Sequence, residues 1–127
     1  MVARLEHVNI CVTDPKATAE VLGRLFGWRV RWEGAAMGDG YSVHVGDDRG
    51  YVALYRPGHE MNAAEGKYRR WASLNHIGVV VEDLDALEAA VRAEGLRTHS
   101  HADYEPGRRF YFDGPDEVEY EVVSYGA

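Results

Sequence analysis

Apolar residues recur along this chain at two periods. Val8, Ile10 and Val12 alternate with other residues, and Ile77, Val79 and Val81 do the same. A period of two marks a strand with one buried face. Each strand leads into a segment with helical spacing, clearest where Leu84, Leu87 and Val91 fall on one helical face. Asp14 is placed to cap the first helix, with Pro15 at its opening position, and Asp83 to cap the second. Gly27 and Gly95 supply left-handed endings. Three more strands follow in each half, at residues 29–33, 41–46 and 51–56 and at residues 96–101, 108–113 and 118–125. Turn residues at Gly46-Asp47-Asp48-Arg49-Gly50 and Gly114-Pro115-Asp116-Glu117 close the last hairpin of each half.

The two halves are one pattern used twice. Leu5-Glu6-His7-Val8-Asn9-Ile10-Cys11-Val12-Thr13-Asp14 lies over Leu74-Asn75-His76-Ile77-Gly78-Val79-Val80-Val81-Glu82-Asp83, with Leu, His, Val and Asp in common. A repeat of this kind is read before anything else. It predicts a single domain over 1–127, with module 1 at about 4–56, a linker at 57–73 and module 2 at about 74–125. A helical turn is expected near Ala63 in the linker. The expected class is α+β: two tandem βαβββ modules, each with a helix on one sheet face, whose open faces curve into an open, cleft-lined barrel. A pair of ferredoxin-like domains is the competing layout.

Composition narrows the setting. At 127 residues, 46% hydrophobic and 28% charged, the chain resembles an ordinary globular domain. It has no apolar run of about 20 residues to span a membrane and no signal-like N-terminus. Its single cysteine, Cys11, makes no internal disulfide, which points to a reducing, cytoplasmic home. A formal net charge of -7 opposes nucleic-acid binding. The basic cluster Lys67-Tyr68-Arg69-Arg70 reads as solvated linker.

Alternation also sorts the candidate chemistry. His7, Asn9 and Cys11 share the face opposite the apolar set, as do His76, Gly78 and Val80, so the apolar sets pack on the helices. In the last strand Glu119, Glu121 and Val123 share a face. An acidic residue amid apolar neighbours is costly unless paired or coordinated. Glu121 therefore either pairs with Arg108 or Arg109, or joins His7 and His76 around a divalent metal. Two imidazoles and one carboxylate suit Fe(II), Mn(II), Ni(II) or Zn(II) and leave positions open for substrate. His44 and Glu121 are the candidate catalytic groups, and Tyr104, Arg108 and Arg109 the candidate substrate-binding ones, with His99 and His101 in reserve. Alternation sends the two arginines to opposite faces, so one of them meets an anionic substrate. Glu119, nearer the turn, is expected to stay within reach of water.

Leu5-Glu6-His7-Val8, Leu74-Asn75-His76-Ile77, Phe110-Tyr111-Phe112, Pro115-Asp116 and Tyr120-Glu121-Val122 occur in an order that resembles the vicinal-oxygen-chelate superfamily, the glyoxalase, bleomycin-resistance and extradiol-dioxygenase group. The resemblance implies that His7, His76 and Glu121 hold a divalent metal. It places Ala53 at the fourth ligand position, where glyoxalase I and methylmalonyl-CoA epimerase carry a carboxylate or amide. The three-ligand set is closer to that of extradiol dioxygenases and fosfomycin-modifying thiol transferases, though the latter's potassium-binding loop has no match near residues 98–104. In the family's Asp-Pro-Asp-Gly turn, Glu117 replaces the glycine. The implied protein is a homodimeric, metal-dependent enzyme acting on a small molecule with vicinal oxygens. A glyoxalase I-like lyase or isomerase and a metal-free drug-binding resistance protein are the alternatives.

Overall fold

The computed structural model describes residues 1–62, 65–104 and 107–126. The chain divides into two compact units, Met1–Asn62 and Ala63–Ala127. In unit 1, β1 (His7–Cys11) leads through α1 (Pro15–Phe26) to β2 (Arg29–Ala36), β3 (Gly40–Gly46) and β4 (Tyr51–Arg56). In unit 2, β5 (Ile77–Val80) leads through α2 (Leu84–Ala93) to β6 (Arg97–Tyr104), β7 (Gly107–Asp113) and β8 (Glu119–Ser124). Each unit is one βαβββ module, and the class is α+β. The sheet orders are β1-β4-β3-β2 and β5-β8-β7-β6. In each, the first strand runs parallel to the last and the remaining neighbours are antiparallel. The ferredoxin-like layout, which needs a second helix before the last strand, does not occur among the described residues.

Local chemistry explains the helices. The Asp14 carboxylate accepts the Ala17 N–H at 3.0 Å, and Asp83 accepts that of Ala86 at 3.0 Å. Each such cap contributes about 1 kcal/mol. Gly27 ends α1 at φ 71°, and Gly95 follows α2 at φ 80°. In unit 1, Leu22 and Leu25 bury against Val43, Val45, Val52 and Leu54. In unit 2, Leu87 and Val91 bury against Phe110, Phe112, Tyr120 and Val122.

Alternation fails to give full burial in β1. Val8 lies on the helix side yet stays 41% exposed, because β1 is an edge strand and α1 packs over β2, β3 and β4. The second strands run longer than the pattern predicts, and each contains a bulge, between Val30 and Trp32 and between His99 and Ala102. The helical turn expected near Ala63 falls outside the described residues, as do Glu105 and Pro106. A short 3-10 turn stands instead at Lys67–Arg69. Among the described residues no helix is long and apolar enough to cross a membrane.

Candidate metal centre

Strand pairing lays out a row of side chains on the helix-free face of unit 2. Gly78 stands opposite Glu121, Glu121 opposite Tyr111, and Tyr111 opposite His99. His76, two residues before Gly78, reaches the same row, with its ring edge-on to Tyr111 at 5.5 Å. The Glu121 side chain is only 16% exposed. One of its oxygens, Oε2, accepts the Tyr111 hydroxyl and, at 3.4 Å, a guanidinium N–H of Arg109. The other, Oε1, lies toward Gly78, where an added Cβ would sit 3.9 Å from it, so the glycine places no side chain beside it. The hydrogen bond to Glu121, burial and the Glu121 charge push the Tyr111 phenol up to about 12.

Both candidate histidines are set in the same tautomer. His76 Nδ1 lies 2.7 Å from Asn75 Oδ1, and His7 Nδ1 lies 2.9 Å from Glu6 Oε1. In each case the acceptor belongs to the preceding residue, so Nδ1 carries the proton and Nε2 keeps its lone pair. A metal-ligating histidine is held in this way. The hydrogen bonds from His7 and Tyr51 hold the Glu6 carboxyl below its usual range, which keeps it a ready acceptor.

Unit 1 carries the matching row on its own helix-free face. Asn9 stands opposite Ala53, Ala53 opposite His44, and His44 opposite Trp32. Ala53 therefore occupies the counterpart of Glu121, as His44 does of Tyr111 and Trp32 of His99. The His7 ring stacks on Tyr51 at 4.8 Å, and Tyr51 stacks on His44 at 4.5 Å. The Arg31 guanidinium lies 4.9 Å over Tyr51. Burial, then the electrostatic influence of His7 and of the Arg31 guanidinium, push the His44 imidazole below its usual range. It is thus neutral at neutral pH and able to accept a proton.

Four sequence expectations need revision. Arg109 is buried, 7% exposed, on the face of Glu121, where it also donates to the Gly107 carbonyl at 3.0 Å and lies 4.3 Å over the Tyr104 ring. Arg108 points to the helix side and pairs with Asp85, so of the two arginines only Arg109 stands beside Glu121. His101 is likewise on the helix side, bonded to Glu88 at 2.6 Å, while His99 stays in the row. Glu119 is the more buried of the two acids of β8, because Lys67 and the Tyr68 hydroxyl cover it. The basic cluster is therefore only partly a solvated linker. Sequence reasoning also gives Tyr111 no role. Its signal is nonetheless present, since the middle residue of Phe110-Tyr111-Phe112 must face away from two core phenylalanines. A hollow of about 330 Å³ beside Asp85, Arg108 and Ser124 lies on the helix side, away from this row.

Residues 4–122 match the Glyoxalase/Bleomycin resistance protein/Dioxygenase superfamily. The chain belongs to this superfamily. Among solved structures, it is similar to a glyoxylase/bleomycin resistance protein/dioxygenase domain from Frankia sp. EAN1pec, with 18% identity, a TM-score of 0.80 and 98% of each chain covered. It is also similar to the fosfomycin resistance protein FosX from Listeria monocytogenes complexed with Mn(II) and sulfate, with 16% identity, a TM-score of 0.74 and 98% and 93% covered. A mutant form of the same FosX, complexed with Mn(II) and 1S,2S-dihydroxypropylphosphonic acid, gives 16% identity, a TM-score of 0.75 and 100% and 93% covered. These likenesses are of fold. No curated protein matches the chain. At the turn where the resemblance leads one to expect glycine, Glu117 stands at φ 58°, a left-handed conformation that favours glycine.

Proposed function

We propose that this superfamily member is a metal-dependent enzyme acting on a small substrate with vicinal oxygens, with His7, His76 and Glu121 as the three protein ligands of one divalent ion (Fe, Mn, Ni or Zn). The observation that carries the reading is the shared tautomer of His7 and His76, each with Nδ1 tied to the residue before it and Nε2 left to ligate. The donor set fits, because Glu121 adds a carboxylate with one oxygen toward Gly78. A bound divalent ion would supply a Lewis acid that polarises two neighbouring substrate oxygens. Around it, His44 accepts or returns a proton as a neutral imidazole, the Tyr111 hydroxyl steadies Glu121, and Arg109 with Tyr104 binds an anionic or polar group of the substrate. Arg108 is left out of that role by its pairing with Asp85.

Ala53 in the counterpart place of Glu121 leaves three protein ligands rather than four. That favours an extradiol-dioxygenase type of site over a glyoxalase I-like lyase or isomerase. The FosX neighbour, complexed with Mn(II) and a dihydroxypropylphosphonic acid, supports a metal and a vicinal-oxygen ligand on this fold. We further infer a cytoplasmic homodimer without nucleic-acid or membrane partners, with His7 supplied by the same chain or by a second copy.

A second reading has one observation in its favour. Glu121 Oε2 is bonded to Tyr111 and Arg109, as in a metal-free cleft that only sequesters a drug. Elemental analysis after loading with Fe(II), Mn(II), Ni(II) and Zn(II) separates the two. The wild type should hold more metal than His76→Ala or Glu121→Gln, and catechol cleavage with Fe(II), or turnover of a hemithioacetal, then names the branch. Equal metal content in all three proteins would refute the ligand set and leave the binding reading.

A further inference from the structure

We propose that His99, Asp113 and Glu119 form a second divalent-cation site on the helix-free face of unit 2, kept closed by Lys67 when no ion is bound. One ligand atom from each residue lies within 4.8 Å of the other two, and this is the one such triple among the described residues. None of the three is a proposed ligand of the first site.

The register builds the cluster. Asp113 on β7 stands opposite Glu119 on β8, and His99 Nε2 from β6 lies 3.2 Å from Asp113 Oδ1. On its other side the His99 ring is tied to Ser100, with Nδ1 2.8 Å from the hydroxyl oxygen. The side chains are sheltered, at 20% exposure for His99, 29% for Asp113 and 9% for Glu119. Two carboxylates this close, and this far from water, repel unless positive charge stands beside them.

The structure shows where that charge sits. The Lys67 ammonium lies 3.2 Å from Glu119 Oε2, and the Arg97 guanidinium lies 2.9 Å from Asp113 Oδ2. Arg97 holds the outer oxygen of Asp113 and leaves Oδ1 facing His99. Lys67 is thus a monovalent stand-in for an ion at the third corner. One imidazole nitrogen and two carboxylate oxygens make a donor set for Zn(II) or Mn(II). An ion would draw its ligands to about 2.0–2.2 Å, too close to leave room for the ammonium. Lys67 would leave Glu119, and the neighbouring Tyr68 hydroxyl would leave with it. Tyr111 connects the two places, stacked on His99 at 6.1 Å and bonded to Glu121.

Equilibrium dialysis of the full, untagged chain against Zn(II) tests this in a His76→Ala/Glu121→Gln background, which removes the first site. That protein should still retain about one ion per chain. Adding His99→Gln and Asp113→Asn should abolish retention, with circular dichroism confirming the fold. Adding Lys67→Met to the background should tighten Zn(II) binding severalfold, because the competing cation is gone. Lys67→Met keeps every ligand, so its result stands however the ligand variants behave. No zinc bound in the background, zinc bound regardless of His99 and Asp113, or an affinity unmoved by Lys67→Met would each overturn the proposal. Failure of the first site is read separately, from the comparison of wild type with Glu121→Gln.

Discussion

In the metal-free protein, Glu119→Gln should cost more stability than Glu121→Gln. The Glu119 side chain is 9% exposed and accepts from Lys67 Nζ at 3.2 Å and from the Tyr68 hydroxyl. Glutamine can still accept from Tyr68 through its amide oxygen. It offers Lys67, itself only 26% exposed, no negative charge. A hydrogen bond to a charged group contributes about 1.5–3 kcal/mol, and partial exposure places this one at ~2 kcal/mol. Glu121 loses less on the same change. Tyr111 can go on donating, the Arg109 contact is long at 3.4 Å, and Arg109 keeps the Gly107 carbonyl and the Tyr104 ring. Its cost should be about 1 kcal/mol. In a domain of this size each kcal/mol shifts Tm by roughly 3–5 °C, so thermal melts in EDTA should separate the variants, with urea titration giving the free energies. Equal losses, or a larger loss for Glu121→Gln, would refute the account of Lys67 and Tyr68. Added metal should then raise Tm less in Glu121→Gln than in the wild type, since an ion that binds only the folded state stabilises it by mass action.

Three further outcomes follow from the geometry. Glu117→Gly should raise stability by about 1 kcal/mol, read from the urea midpoint, because φ 58° strains a residue with a Cβ. Tyr111 is raised to about 12 in the folded state, so its contribution to stability is full below pH 10 and lost as pH climbs toward 12; Tyr111→Phe should flatten the alkaline limb of Tm against pH. Glu88 is shifted the other way: burial pushes its carboxyl up, but hydrogen bonds from Thr98 and His101 and the charges of His101 and Arg92 outweigh that and hold it below its usual value. Its contribution is present above the ordinary carboxylate pKa of 4.5 and fades as pH falls through the lower folded value, so Glu88→Gln should flatten the acid limb.

The duplication, the helix caps and the face of Glu121 are all legible in the sequence, because each rests on a local rule: side-chain alternation, Asp before a helix, Gly after one. What stays hidden rests on longer reach. Glu119 reads as wet because it stands near a turn, but residues from the distant linker cover it. Val8 reads as buried because it is apolar and in phase, but periodicity does not say which strand of a sheet lies at its edge. His99 and His101 stand two residues apart, which by alternation alone would put them on one face, and only the irregularity between them separates their roles. Ala53 is legible as the missing carboxylate through the family resemblance, and strand pairing gives it the counterpart place of Glu121 independently.

The irregularity at Ser100 works on β6 as an inserted letter works on a reading frame. Before it, odd-numbered residues face the row of Glu121; after it, even-numbered ones do. One strand thereby serves two masters, giving His99 to the row and His101 to Glu88 on α2. Ser100 sits there at φ 57°, the twist that absorbs the extra residue. Deleting it would restore parity by a frameshift in three dimensions, with no change to the chemistry of any other side chain. His99 would still face the row, His101 would follow it directly and face α2, and Ala102 would keep its place opposite Arg109. Loss of this single residue would therefore leave both the site row and the helix anchor in place.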